Sequence, residues 1–175
     1  MRPQVRAFVD VVSSTLPVDE PVYEFGSYQV PGQEELANLR PLFPGKSYVG
    51  CDMRPGPGVD KVLDLHNIAR PNLTAGTVLC LDTLEHVEYC HRAMEEVYRI
   101  LKPGGMCVIS SVMAFPIHEF PYDYWRFTPS GFESLLKAFE SRWVGYIGDA
   151  RFPHTVLGIG VKGPLDFAPF RAVWQ

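Results

Sequence analysis

No run of lysine or arginine interrupts this sequence, no C-x-x-C pair stands in it, and no G-x-G-x-x-G follows its first strand-like segment. Each absence removes a class of function. With 16 Lys and Arg against 20 Asp and Glu, the net charge is −4, so neither nucleic acid nor an anionic membrane finds an electrostatic footprint. The longest apolar stretches fall far short of the roughly 20 residues that a membrane-spanning helix needs. The opening "MRPQVRAFVDVVSS" sets Asp10 inside its apolar pattern and lacks a signal-peptide layout, which leads to the expectation of a cytoplasmic protein. Cys51, Cys80, Cys90 and Cys107 fall in apolar segments and read as free buried thiols rather than a zinc or redox site. The prolines stand between periodic segments, with no repeat and no linker. A chain of 175 residues, 46% of them apolar, is expected to form a single domain over residues 1–175 with a substantial core.

What is present is an alternation of strands and helices. Val5, Phe8, Val9 and Val12 recur at helical spacing, and "PVYEFG" follows as a first strand. A helix is predicted from Gln33, with Leu36 and Leu39 on one face, stopping at Arg40 before Pro41. "KSYVGCD" and "DKVLDL" are strands two and three, parted by the turn "MRPGPG", and "TVLCLD" is a fourth, continuous enough to be buried on both faces. Cys90, Met94, Val97 and Leu101 mark a helix with Glu95 and Arg99 paired outside it. "KPGG" is expected to end that helix, and "MCVISSV" is strand five. Thr128 is placed to cap a helix beginning at Pro129, whose buried face is Phe132, Leu135, Leu136 and Phe139. "RWVGYIG" and "HTVLGIGVK" close the chain without a helix between them. The predicted fold is therefore α/β and Rossmann-like, a seven-stranded sheet with helices on both faces and a C-terminal antiparallel hairpin.

In an open sheet of this kind a ligand lies beyond the carboxyl ends of the strands. Those ends carry Glu24 with Gly26, then Asp52, Asp64 and Asp82. Four carboxylates repel a pyrophosphate and suit a ligand with hydroxyls, an exocyclic amine and a positive charge. S-adenosyl-L-methionine has all three. A carboxylate accepts two hydrogen bonds from a ribose diol, a fitting use of Asp52. A nicotinamide-dependent oxidoreductase is disfavoured by the missing glycines and by the hairpin ending.

The stretches "VYEFGS", "YVGCD", "LDLHNI", "LDTLEHV" and above all "AMEEVYRILKPGGMCVIS" resemble the class I S-adenosylmethionine-dependent methyltransferases, of the small type-11-like kind, from about Pro21 to Lys162. The resemblance implies that Glu24 and Gly26, with Ser27 and Tyr28 beside them, lie against the methionine part of the cofactor. It implies Asp52 on the ribose diol with Met53 adjacent, Asp64 at the adenine amine with Leu65 along the ring, and Leu81 and Asp82 near the sulfonium. Tyr28 departs from the family's E-x-G-x-G, because it stands where a second glycine is usual and cannot make the same close backbone approach. That departure sustains one alternative, a non-catalytic binding module on the same fold.

"DTLEH" brings Asp82, Glu85 and His86 together with a later His118, which are donors suited to a divalent ion. Similar wording is common in the wider family without metal, and the expectation is no metal, with His86 facing the substrate. The loop from Met113 to Pro129 is dense in aromatics, Phe115, Phe120, Tyr122, Tyr124, Trp125 and Phe127 among them. His118, Tyr122, Asp123, Trp125 and Arg126 are the expected contacts to a small-molecule or glycan-like acceptor. His86, His118 and Asp123 are the candidate bases.

Overall fold

The protein is described by a computed structural model covering residues 1–118 and 122–174. Its strands are β1 (Val22–Phe25), β2 (Tyr48–Asp52), β3 (Lys61–Val62), β4 (Ala75–Leu81), β5 (Leu101–Val112), β6 (Ser141–Asp149) and β7 (Phe152–Val161), in the sheet order β3-β2-β1-β4-β5-β7-β6. The first five pair parallel, and β7 runs antiparallel between β5 and β6. The strand order reverses between β1 and β4, so the carboxyl ends of those two strands flank the crevice where such sheets bind ligands.

Side-chain alternation divides the interior into two cores, because successive residues of a strand point to opposite faces. Val78, Cys80, Cys107 and Ile109 point to the face covered by α3 (Cys90–Ile100) and α4 (Pro129–Leu135). Leu79, Leu81, Met106 and Val108 point to the other, beneath α1 (Pro3–Thr15) and α5 (Ala168–Val173). Both faces of β4 are buried along its whole length, as its unbroken apolar run requires. All four cysteines are free and buried. Thr128 caps α4 by accepting a hydrogen bond from the Gly131 amide, with Pro129 at the first position.

Several local expectations need correction. The helix after Gln33 is a single turn, α2 (Glu34–Ala37). Asn38 is extended and its Oδ1 accepts from the Arg40 amide, an alternative to helical bonding that asparagine offers readily; Arg40–Leu42 then forms a separate 3-10 turn. "KPGG" does not cap α3, which ends at Ile100 with Leu101 already extended. Residues 102–105 instead bulge out of β5, since Ala75 pairs with Leu101 and Thr77 with Met106. Arg99 pairs with Glu96, at 2.7 Å, rather than with Glu95. β3 holds only two residues, and Asp64 lies beyond it in an isolated bridge to Asn67. The closing helix α5 was not foreseen. Phe170 and Trp174 reach it onto Phe8 of α1, with ring centroids 5.9 and 5.3 Å away.

Candidate active site

The carboxyl ends of β1, β2 and β4 open into a cavity of about 550 Å³. Every residue expected at the cofactor lines it: Glu24, Gly26, Ser27, Tyr28, Asp52, Met53, Asp64, Leu65, Leu81 and Asp82.

Glu24 is buried in β1, and its Oε2 accepts from the Tyr48 hydroxyl at 2.7 Å. Burial outweighs that hydrogen bond and pushes its pKa up to about 7. Gly26 has φ +86, and a Cβ there would fall inside the radius of Thr83 Oγ1; only glycine serves at this turn. Ser27 is buried and donates to the Cys51 carbonyl at 3.2 Å. Asp52 is 9% exposed, and its Oδ1 accepts from the Arg54 amide at 3.1 Å. Asp64 is more open and holds His66 at 2.9 Å.

The close backbone approach absent from the first turn is found in the second. The Arg54 guanidinium lies 4.6 Å from the centre of the Tyr28 ring. Gly56 and Gly58 lack the side chains that would strike the Tyr28 ring and the Ser27 carbonyl, and Gln29 donates to Pro57 O at 2.9 Å. The Tyr28 ring therefore packs against the "RPGPG" turn, in the space that a side chain at Gly56 would need.

Asp82 is not open to a ligand in the way the strand-end pattern suggested. Arg2 grips it with Nη2 to Oδ1 at 2.6 Å and Nε to Oδ2 at 3.1 Å. Arg2 also lines the cavity, and its guanidinium lies 5.8 Å from the Phe115 ring. Sequence reading missed it because no local pattern ties residue 2 to residue 82. Asp82 itself has φ +48, a strained setting for a residue with a Cβ.

Of the residues expected at the acceptor, His86 and His118 line the cavity; Tyr122, Asp123, Trp125 and Arg126 do not. These four build the loop instead. Asp123 accepts from Arg126 Nη2 at 2.7 Å and from the His118 amide at 2.8 Å, which holds its carboxyl far below the usual carboxylate range and leaves it a poor base. Trp125 Nε1 donates to Val87 O at 3.0 Å, and the Tyr124 and Trp125 amides both donate to Glu85 O. Arg126 holds the carbonyls of Phe115 and Pro116. Tyr122 is 62% exposed. Phe120 lies outside the described residues. Phe115, on the same loop, does line the cavity.

Among the described residues, one group has metal-ligating donors close together: Glu85, His86 and His118 offer atoms within 4.8 Å of one another. Asp82, expected with them, is taken by Arg2. Glu85 is fully buried, and burial first, then the nearby Asp82 charge, push its pKa up to about 7. Burial lowers the pKa of His86, so that ring is neutral near pH 7.

The sequence matches the methyltransferase-domain family over residues 1–147, and the chain belongs to that family. Its fold is that of the class I methyltransferases. A methyltransferase from Archaeoglobus fulgidus, described as S-adenosylmethionine-dependent, superposes with a TM-score of 0.69 at 15% identity, over 93% of this chain and 95% of that one. The 1,6-didemethyltoxoflavin N1-methyltransferase of Burkholderia thailandensis, solved with S-adenosylhomocysteine, gives 0.68 at 14% identity over 93% and 79%. A possible histamine N-methyltransferase from Thermotoga maritima gives 0.62 at 19% over 91% and 92%. No curated protein sequence matches. No helix among the described residues is long and apolar enough to cross a membrane.

Proposed function

We propose that this protein transfers a methyl group from S-adenosyl-L-methionine to a small-molecule or glycan-like acceptor. The observation that carries this reading is the set of Glu24, Asp52 and Asp64 around one cavity whose floor, at Gly26, leaves no space for a side chain. The residues fit the cofactor on three counts. Asp52 has one carboxylate oxygen beyond its turn bond for a ribose diol. Glu24, buried with a single hydrogen bond, favours a cationic neighbour such as an ammonium. Leu65 and Leu81 supply apolar wall for a purine and a thioether chain. Arg2 lines the same cavity, with its guanidinium held by Asp82 and Thr155, a placement outside the sequence expectation.

When bound, the cofactor supplies an electrophilic methyl group on a good leaving group. The protein's own contribution is alignment, which is worth up to roughly 7–11 kcal/mol when the reacting atoms are well placed. A base adds roughly 10²–10⁴-fold where the acceptor must lose a proton. His86 and His118 face the cavity for that task, and Asp123 does not. The net charge of −4 favours a small acceptor over a polyanion.

Calorimetric titration with S-adenosylhomocysteine tests the reading. Binding with a raised melting temperature is expected by mass action, and NADH is expected to do nothing. Absence of binding at millimolar ligand removes the methyltransferase reading.

A further inference from the structure

Glu85, His86 and His118 meet at one wall of the cavity in an arrangement that methyl transfer alone does not call for. Glu85 Oε2 accepts from the Ser111 hydroxyl at 2.7 Å. Its Oε1 is buried and has no hydrogen-bond partner among the described residues. An unsatisfied carboxylate oxygen inside a protein is costly unless something binds there.

Both imidazoles stand beside that carboxylate, each with its Nδ1 held from behind. His86 Nδ1 lies 2.6 Å from the Tyr122 carbonyl, which only accepts, so this nitrogen carries the hydrogen. His118 Nδ1 lies 3.2 Å from both the Pro116 carbonyl and Asp123 Oδ2, so it too is the donor. When such a ring binds an ion in its neutral form, Nε2 is the nitrogen left to ligate. His118 Nε2 is 3.9 Å from Glu85 Oε1, and the ring centroids of His86 and His118 are 4.8 Å apart. Three potential ligand atoms, one from each of Glu85, His86 and His118, lie within 4.8 Å of one another.

We propose that Glu85, His86 and His118 bind a divalent first-row transition ion of the zinc type, with its remaining positions open to the cavity. Two imidazoles and one carboxylate suit such an ion better than magnesium or calcium, which prefer oxygen. Each ligand is oriented from behind by the partner that metal ligands usually have: a carbonyl for His86, a carboxylate for His118, a hydroxyl for Glu85. Ligands about 2.0–2.1 Å from a tetrahedral ion stand ~3.4 Å apart. Closing on an ion therefore draws His118 Nε2 toward Glu85 by about half an ångström from 3.9 Å, and the widest-spaced donors together by up to about 1.4 Å from 4.8 Å. The loop that carries His118 is tied to Glu85 through the amides of Tyr124 and Trp125, which keeps the three side chains together. The proposal departs from the sequence expectation of no metal. An ion held there takes the Nε2 atoms that would otherwise serve as bases, so the two roles of His86 and His118 exclude each other. The site stands on its own donors, whether or not the methyl-transfer reading holds.

The test uses the full chain without a histidine tag, stripped with a chelator and dialysed. Zn²⁺ is titrated calorimetrically, and Co²⁺ is followed by its visible absorption. One equivalent is expected, with cobalt bands that disappear in His86→Ala and His118→Ala and an affinity at least tenfold weaker in each. His91→Ala, at an exposed histidine of α3, is expected to bind as the wild type does. His118 is 37% exposed in its side chain, so its alanine variant is expected to fold, and melting curves taken without metal check this. A Glu85→Gln variant that folds is expected to lose the same signal. Lack of stoichiometric binding, or a folded His118→Ala that binds as tightly as the wild type, overturns the proposal. The first result would mean that the three acceptors share a proton instead.

Discussion

Arg2 and Asp82 face each other as a two-pronged ion pair, 2.6 and 3.1 Å between their atoms, across 80 residues of sequence. Each side chain is only 16% exposed, and Arg2 donates to Thr155 on β7 as well. One guanidinium thus joins the N-terminal segment, the end of β4 and the antiparallel strand. Arg2→Ala is expected to cost about 1–3 kcal/mol, between the values for exposed and buried pairs. Urea unfolding measures it. The double variant with Asp82→Ala is expected to recover part of the loss, because the stranded carboxylate is then gone. An unchanged unfolding midpoint in the single variant would mean that the pair holds nothing.

Glu24 gives a pH dependence with a definite sign. Its folded pKa stands near 7 against an ordinary 4.5, so the native state holds this proton more tightly than the unfolded chain does. The associated stability is complete below about pH 4.5 and is lost as pH rises through 7. Glu85 shifts the same way, so the wild type alone does not separate the two. Glu24→Gln keeps an oxygen for the Tyr48 hydroxyl and removes the titration. The variant is expected to gain on the wild type between pH 5 and 8, by at most about 3 kcal/mol. A constant difference across that range would remove Glu24 as the source.

Asp52 has two roles that two variants separate. Asp52→Asn retains an oxygen for the Arg54 amide and loses the charge. Asp52→Ala loses both. If the carboxylate takes the ribose diol, Asp52→Ala is expected to weaken S-adenosylhomocysteine binding by roughly 1.5–3 kcal/mol, with a folded domain throughout. Normal affinity in the alanine variant would leave only the turn bond as its function.

The aromatic loop is expected to divide by residue. Trp125→Ala removes the anchor to the Val87 and Glu88 carbonyls and should lower the melting temperature. Tyr122→Ala, with its ring mostly in solvent, should change neither melting nor cofactor affinity. Phe115→Ala, at the cavity wall, should slow turnover while S-adenosylhomocysteine affinity holds. Equal effects of Phe115→Ala and Tyr122→Ala on turnover would contradict this division.

The sheet was legible in the sequence because burial on both faces leaves an unbroken apolar run, as in "TVLCLD", and because carboxylates stand where such runs end. Glu24, Gly26, Asp52, Asp64 and Asp82 follow from that pattern, the other five expected cofactor residues from the family resemblance, and all ten line one cavity. What was not legible depends on partners distant along the chain. Arg2 looks like an ordinary helix-start residue until β4 and β7 are placed beside it. Trp125 and Arg126 look like ligand contacts because indole and guanidinium serve both purposes, and only the folded loop shows which carbonyls they hold. "KPGG" has the composition of a helix end, yet the pairing of Thr77 with Met106 makes it a bulge. The helix α5 is six residues long, too short for a hydrophobic period to declare itself.

Because Met1 and Arg2 form part of the cavity wall, whatever is joined ahead of residue 1 leaves the fold at the mouth of the site. An affinity tag fused there would begin beside the cavity, and its histidines would compete for the ion proposed at Glu85. A tag that follows α5 starts instead beyond Trp174, which stacks on Phe170 against α1. Assays with the tag at one end or the other therefore differ in what stands next to the cavity.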